Sequence, residues 1–160
     1  MPYIIAPIYT YRRALVNPAI NITQIQIKAP AARSLVIMGF GASPTTAVTS
    51  STTWPLQIGR IPTTFGTVTI GVAADIQQNA GSSAASTIQL GTAATGFTAT
   101  AEPTYTDKWV KAANALGPLE QIYIPEQAII LAGATGVGLV PLLAPPAGTY
   151  DFWVQYCEVS

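Results

Sequence analysis

Histidine is absent from this chain, and cysteine occurs once, at Cys157. Histidine is the side chain that most often moves protons in enzymes near neutral pH, and a cysteine nucleophile needs a basic partner. A disulfide framework needs two or more cysteines, and zinc sites are built mainly from histidine and cysteine. We therefore expect no catalytic residue, no metal ligand and no cofactor-binding residue, and the sequence predicts a protein that is not an enzyme.

Ionised side chains are also scarce: 9% of the 160 residues are charged, against about 25% in an ordinary soluble domain. The seven basic residues balance the seven acidic ones, so no positive excess is available to neutralise nucleic-acid phosphates. A surface with so few charges promotes association, and we infer that other subunits cover much of it. Most basic residues lie in the first 60 positions, and all acidic residues lie after them. The two groups can pair within one fold or between copies of the chain.

Residues 127–150 carry no charged side chain, and part of this segment is as apolar as a membrane span. Its densest apolar stretch, Ile129 to Ala144, is interrupted by glycines and is shorter than the roughly 20 residues that a spanning helix needs. The sequence from Gly133 to Gly138 lacks the ending of a phosphate-binding loop. We predict a hairpin turn there, between two strands, and no association with a membrane.

Strand patterns dominate the rest of the chain. Apolar and polar residues alternate from Ile25, which places Ile25 and Ile27 on one face of a predicted strand. Residues 149–159 form a predicted strand with Tyr150, Phe152, Val154 and Tyr156 on one face. Residues 104–113 fit a strand, with a short helix as the alternative. Roughly eight to ten short strands separated by glycine and proline turns predict a single-domain, jelly-roll-like antiparallel β-sandwich.

The start of the chain is rich in tyrosine and arginine, the residue types favoured at interface hot spots. We expect residues 1–16 to be either an extended N-terminal arm that docks on a neighbour or an ordinary first strand, with the β-sandwich in residues 17–160. The candidate interface residues of this segment are Tyr3, Tyr9, Tyr11, Arg12 and Arg13.

Two parts of the chain carry a resemblance to a known family. The stretch from Pro18 to Ile37 resembles the opening strands of small phage virion proteins. The C-terminal part adds Tyr123-Ile-Pro-Glu126, an apolar hairpin, Ala144-Pro-Pro and an aromatic strand that ends in Cys157-Glu-Val. This order resembles the capsid cement, or decoration, proteins of tailed double-stranded DNA phages, including phages of cyanobacteria, over most of the chain beyond residue 16.

The resemblance implies a jelly-roll-like homotrimer on the capsid surface of the virion, bound across neighbouring copies of the major capsid protein and without catalytic residues. The alternative is a receptor-binding or fibre module that stacks aromatic side chains on host glycans, for which Trp54, Trp109 and Trp153 are candidates. Because Trp54 and Trp153 lie in or beside apolar strands, packing in a core or an interface is favoured for them. A trimeric structural domain of the neck or tail is a third alternative.

Overall fold

A computed structural model describes residues 8–16, 18, 20–46, 48, 51–66, 69–70, 76–78, 89–92, 102–124 and 127–159. Within these ranges no helix has the length and apolar character needed to cross a membrane. The strands are β1 (Ile8–Val16), β2 (Ile25–Lys28), β3 (Ser34–Pro44), β4 (Thr53–Ile61), β5 (Thr69–Ile70), β6 (Ile76–Gln78), β7 (Gln89–Thr92), β8 (Lys108–Asn114), β9 (Leu119–Ile122), β10 (Ile129–Leu131), β11 (Gly136–Pro141) and β12 (Thr149–Val159).

The strands form two antiparallel sheets. Sheet A has the order β10–β3–β12–β1–β6, and β9 follows β10 along the same edge of β3. Sheet B has the order β5–β7–β2–β11–β4–β8. The two sheets pack face to face, so the predicted all-β antiparallel sandwich is confirmed, and the region around residues 104–113 forms a strand rather than a helix.

The core lies between the sheets and follows the alternation that the sequence predicts. The ring of Trp54 in sheet B packs edge-on against Tyr150 and Phe152 of sheet A, with centroid distances of 5.8 and 6.2 Å. Such contacts join the two layers through large apolar areas. The inward-facing side chains, each at most 3% exposed, are Tyr9, Tyr11, Ile25, Ile27, Leu35, Ile37, Phe40, Trp54, Leu56, Ile58, Val137, Leu139, Tyr150, Phe152, Val154 and Tyr156.

Residues 8–16 are the first strand of sheet A rather than a separate arm. β1 pairs with β12 along its whole length, from Ile8 opposite Cys157 to Val16 opposite Thr149. Its other side pairs with β6. Of the two alternatives for residues 1–16, the first strand therefore accounts for 8–16, and residues 1–7 lie outside the described residues.

The predicted hairpin turn at Gly133 is wrong, because β10 and β11 belong to different sheets. The turn between them carries the chain from sheet A to sheet B, where β11 pairs with both β2 and β4. It runs beside the turn that joins β2 to β3: Ala29 N donates to Thr135 O at 2.8 Å, and Ala134 N donates to Ala29 O at 3.2 Å. A side chain at Gly133 would collide with the carbonyl of Ala31, so this close passage requires glycine.

Candidate functional site

The predicted interface residues separate in the structure. Tyr9 and Tyr11 point into the core, and Tyr9 stacks on Tyr156 with ring centroids 5.5 Å apart. Arg12 lies between them in β1 and points outward, because successive side chains of a strand face opposite sides. Arg13 lies in β1 opposite Phe152. Tyr3 lies outside the described residues, so Arg12 is the member of this set that the structure places on the surface.

Arg12 belongs to a row of residues that crosses the outer face of sheet A. From β1 to β9 the row consists of Arg12, Trp153, Gly41 and Glu120. The next row consists of Thr10, Gln155, Gly39 and Ile122. Each row has a glycine in β3, between taller side chains on β12 and β9. The surface of the sheet is therefore low along this part of β3.

The two glycines are sterically required. A Cβ at Gly41 would collide with the carbonyl oxygen of Leu119 and with the indole ring of Trp153. A Cβ at Gly39 would lie 2.7 Å from the carbonyl oxygen of Gln121. The missing side chains let β9 approach β3 closely and let the Trp153 ring lean over β3.

A shallow depression of about 390 Å³ results on this face. It opens between β1, β3, β9 and β12, all of which belong to sheet A. Because strands rather than loops carry its walls, the side chains have fixed positions. The lining residues are Thr10, Arg12, Ser43, Glu120, Ile122, Asp151, Trp153 and Gln155.

An ion pair organises one end of the depression. The Arg12 guanidinium donates a hydrogen bond to the carboxylate of Asp151. The Asp151 side chain is 5% exposed, whereas that of Arg12 is 55% exposed. A carboxylate so far from water needs a partner, so the pair fixes the position of Arg12. The two charges offset each other, and the carboxylate of Glu120 leaves the depression with a net negative charge.

A second surface feature is the free edge formed by β9 and β10. Among the described residues, both strands pair only with β3 and leave their other edge open. Ile122, Ile124 and Ile130 are 57%, 56% and 59% exposed along it. Val110 and Leu116 are also exposed, but Val110 lies opposite Gln57 and points to the outer face of sheet B, away from Ile122 on the outer face of sheet A. We call Ile122, Ile124 and Ile130 the apolar strip; clustered exposed apolar residues of this kind mark interaction surfaces.

The outer face of sheet B has glycines in the same kind of position, but the chain covers them itself. Gly59 and Gly138 are neighbours in adjacent strands, and the Tyr105 ring occupies the space where their side chains would stand. The Phe65 ring lies in the same way over Gly136. Both aromatic residues come from loops, so these loops form an outer layer on sheet B.

Hydrogen bonds fix that outer layer. The Tyr105 hydroxyl lies 2.6 Å from Thr23 Oγ1, and Thr23 N donates to Glu102 Oε1 at 3.0 Å. Gly66 N donates to Gln26 Oε1 at 2.8 Å, which ties the other loop to β2. Burial raises the pKa of the Tyr105 hydroxyl well above its ordinary value. This face therefore contributes stability and leaves little surface for a ligand.

Cys157 and the acidic side chains are the further reactive groups in the described part of the chain. Cys157 lies on the outer face of sheet A, and burial raises the pKa of its thiol, which lowers its reactivity. No group of three or more histidine, cysteine, aspartate or glutamate side chains comes together in the described ranges. What the two surfaces offer is binding: stacking and hydrogen bonds in the depression, and apolar contact at the strip.

Sequence reasoning identified part of the depression. Arg12 was predicted as an interface residue and Trp153 as a candidate for stacking, but Glu120, Ser43 and Gln155 were not identified. The available signal was Gly39-Phe-Gly41, two glycines on one face of an apolar strand, which predicts a gap on that face.

No protein-family model matches this chain, and no curated protein or solved structure is significantly similar to it. A function for the chain therefore rests on its own residues: the apolar strip, the depression on sheet A and the self-covered sheet B.

Proposed function

We propose that this chain is a structural virion protein that binds the outside of a phage capsid as a homotrimer and stabilises the capsid by bridging major capsid protein subunits. The observation that carries the proposal is the apolar strip beside the free edge of β9 and β10. Three of the seven large apolar side chains that are exposed among the described residues lie there. Exposed apolar side chains that line one free sheet edge mark an interaction surface.

A second copy of the chain is the occupant that we assign to the strip. With 9% charged residues, the surface has few ionised groups to keep copies apart. Among the described residues no strand pairs with the free edge of β9 and β10, so a strand of another copy can pair there. Symmetry repeats such a contact, and several subunits anchored together bind a shell more strongly than one.

The order of the strands supports the same function. With β5, β6 and β7 set aside as an insertion, sheet A runs β1–β12–β3–β9/β10 and sheet B runs β2–β11–β4–β8. A long antiparallel hairpin that is rolled into two sheets pairs its first strand with its last, its second with its second-last, and so on. The observed pairs fit that scheme: β1/β12, β2/β11, β3/β10 and β4/β8. This order supports a jelly-roll arrangement of the sandwich, an architecture that recurs in viral capsid and lectin domains. Because one fold hosts many functions, this order adds to the surface argument and does not replace it.

The mass of the protein in solution, measured by light scattering, tests the proposal. We expect a trimer for the wild type and a monomer for the double variant Ile124→Asp/Ile130→Asp, which changes the strip outside the depression, because buried carboxylates oppose contact through the strip. The matched control is Leu143→Asp, which charges an equally exposed apolar residue in the turn after β11 and should remain trimeric. A monodisperse wild-type monomer would contradict the proposal.

Binding to the shell is the second readout. The trimer should rebind capsids from which it has been removed and should raise the temperature at which they rupture. The monomeric double variant should bind far more weakly, because it loses the avidity of three linked subunits. If the wild type is a trimer but does not bind bare capsids, the capsid role is contradicted, and only the self-association part of the proposal remains.

One observation favours a second candidate function, a receptor-binding or fibre module. Trp153 leans over Gly41 amid polar side chains on a sheet face that the described residues leave open. An aromatic ring in such a setting is suited to stack on a host glycan. A module of this kind binds cells or glycans and ignores bare capsids, so the capsid assay separates the two functions.

A further inference from the structure

We propose that the depression on the outer face of sheet A is a binding site for a neutral saccharide, with Trp153 as the platform for one face of a pyranose ring. This inference gives a ligand class to the second candidate function. It is tested apart from the capsid role, because the proposed trimer contact runs along the free edge of β9 and β10 and the stacking contact is made by Trp153 of β12, with Ile122 bordering both surfaces.

Trp153 supplies the apolar part of the site. Its ring leans over β3 because Gly41 has no side chain, and the ring remains part-exposed. The C–H groups on one face of a pyranose ring pack against an indole, while the hydroxyl groups radiate from the edge of the sugar. A ring that is supported by the sheet and open on the solvent side fits this arrangement.

Polar groups surround the platform at the positions where sugar hydroxyls would lie. Arg12 is the neighbour of Trp153 on β1, and Gln155 follows Trp153 on the same face of β12. Glu120 closes the row on β9. Guanidinium groups donate, carboxylates accept and an amide does both, which suits hydroxyl groups that both donate and accept.

The charges of the depression select against anionic ligands. The charge of Arg12 is already offset by Asp151, and Glu120 repels a phosphate, a sulfate or an acidic sugar. A cationic side chain of a protein could stack on Trp153 and pair with Glu120, so it is the competing occupant in the test below. A neutral, polyhydroxylated ligand avoids the repulsion by Glu120 and uses the polar groups around Trp153.

The size of the site favours one sugar unit. Its volume of about 390 Å³ is near the lower end of the roughly 300–1,000 Å³ that is common for small-molecule sites. Because the depression is shallow, we expect a millimolar dissociation constant for a single unit. Several copies of the chain on one assembly would strengthen binding to a surface that carries many such sugars.

Saturation-transfer difference NMR with the methyl glycosides of glucose, galactose, mannose and N-acetylglucosamine tests the site. We expect at least one glycoside to bind the wild type, with the strongest saturation on its ring C–H protons. Trp153→Ala should weaken this binding about tenfold, the scale of a lost stacking contact. Gln155→Ala should weaken it about fivefold, and it serves as the test if Trp153→Ala does not fold. The control, Cys157→Ser, changes the same face of β12 outside the depression and should bind like the wild type.

Three results would overturn the saccharide site: no saturation of any glycoside by the wild type, equal saturation by Trp153→Ala, or binding of N-acetylarginine amide in place of the glycosides. The last result would assign the depression to a cationic side chain of a protein. Light scattering on the same samples separates this inference from the proposed function. A trimer that binds no glycoside overturns the site alone, and a monomer that binds one overturns the trimer alone.

Discussion

The two outer faces of the sandwich share one structural device and differ in how the gap is filled. In each sheet, glycines replace the outward side chains of central strands. Over Gly138 in sheet B, the gap is filled by the ring of Tyr105. This residue comes from a loop, and its hydroxyl is hydrogen-bonded to Thr23, which precedes β2. Over Gly41 in sheet A, it is filled in part by Trp153 of the adjacent strand, and a depression remains.

The difference separates stability from binding. A loop that carries its own aromatic residue removes sheet surface from water and gains the free energy of that burial. A strand residue that leans over its neighbour leaves one side of the ring and the surrounding polar groups accessible to a ligand. Changes to the two aromatic residues should therefore affect different measurements.

Tyr105→Ala should have the largest effect on folding. It uncovers Gly59 and Gly138 and removes the contact with Thr23, so we expect a loss of about 3–4 kcal/mol in the free energy of unfolding. Urea denaturation measures it. Tyr105→Phe keeps the ring and should lose only about 1 kcal/mol. A loss below that value for Tyr105→Ala would mean that the loop does not seal sheet B.

Gly41→Ala should have an intermediate effect. The added methyl group meets the backbone of Leu119 and the ring of Trp153, so β9 has to move away from β3, at a cost of about 2 kcal/mol. Thermal unfolding measures this cost. The control is Gly117→Ala, which places a methyl group in open space and should change stability by less than about 0.5 kcal/mol. Equal stability of the two variants would contradict the close packing of β9.

Trp153→Ala should reduce the free energy of unfolding by about 1 kcal/mol, because the ring is only part-buried. This value lies well below the loss expected for Tyr105→Ala. If sheet B is sealed by its loop and sheet A is open, Trp153→Ala must lose less unfolding free energy than Tyr105→Ala. Parallel urea titrations of the two variants measure both losses. Similar losses for both variants would mean that the two faces contribute equally to stability.

Alkaline pH should produce the smallest effect. Because burial raises the pKa of Tyr105, its stabilising contribution is complete below the ordinary tyrosine pKa of 10.0 and is lost as the pH rises above it. At that pH the unfolded hydroxyl is half ionised, and the wild type should lose about 0.4 kcal/mol through this residue. Urea midpoints at neutral pH and at pH 10.0 measure the loss. Tyr105→Phe has no hydroxyl to ionise, so it should lose about 0.4 kcal/mol less than the wild type between the two pH values. An identical loss of unfolding free energy in both proteins would contradict the prediction.

The fold was predictable where burial follows a local pattern. Strand β12 has the predicted bounds, Thr149–Val159, because an apolar residue stands at every second position from Tyr150 to Tyr156 and faces the core. The hairpin at Gly133 was predicted wrongly, since local sequence marks a turn but not the sheet that the next strand joins. That choice depends on β2 and β4, which are far away in the sequence.

The candidate site was less predictable, because it depends on strand register. Arg12, Trp153, Gly41 and Glu120 meet only through the pairing of four strands. Composition suggested the tyrosines near Arg12 as interface residues. The alternation of β1 instead turns Tyr11 into the core and Arg12 to the surface.

The antiparallel pairing of β1 with β12 has a mechanical consequence. Because Ile8 lies opposite Cys157, a chain segment that precedes β1 and one that follows β12 emerge at the same end of the sheet. A force that pulls these two segments apart would act across the strands and peel their hydrogen bonds one pair at a time. The folded subunit resists a force far better when the force acts on the outer faces of the sandwich, because many hydrogen bonds must then break at the same time.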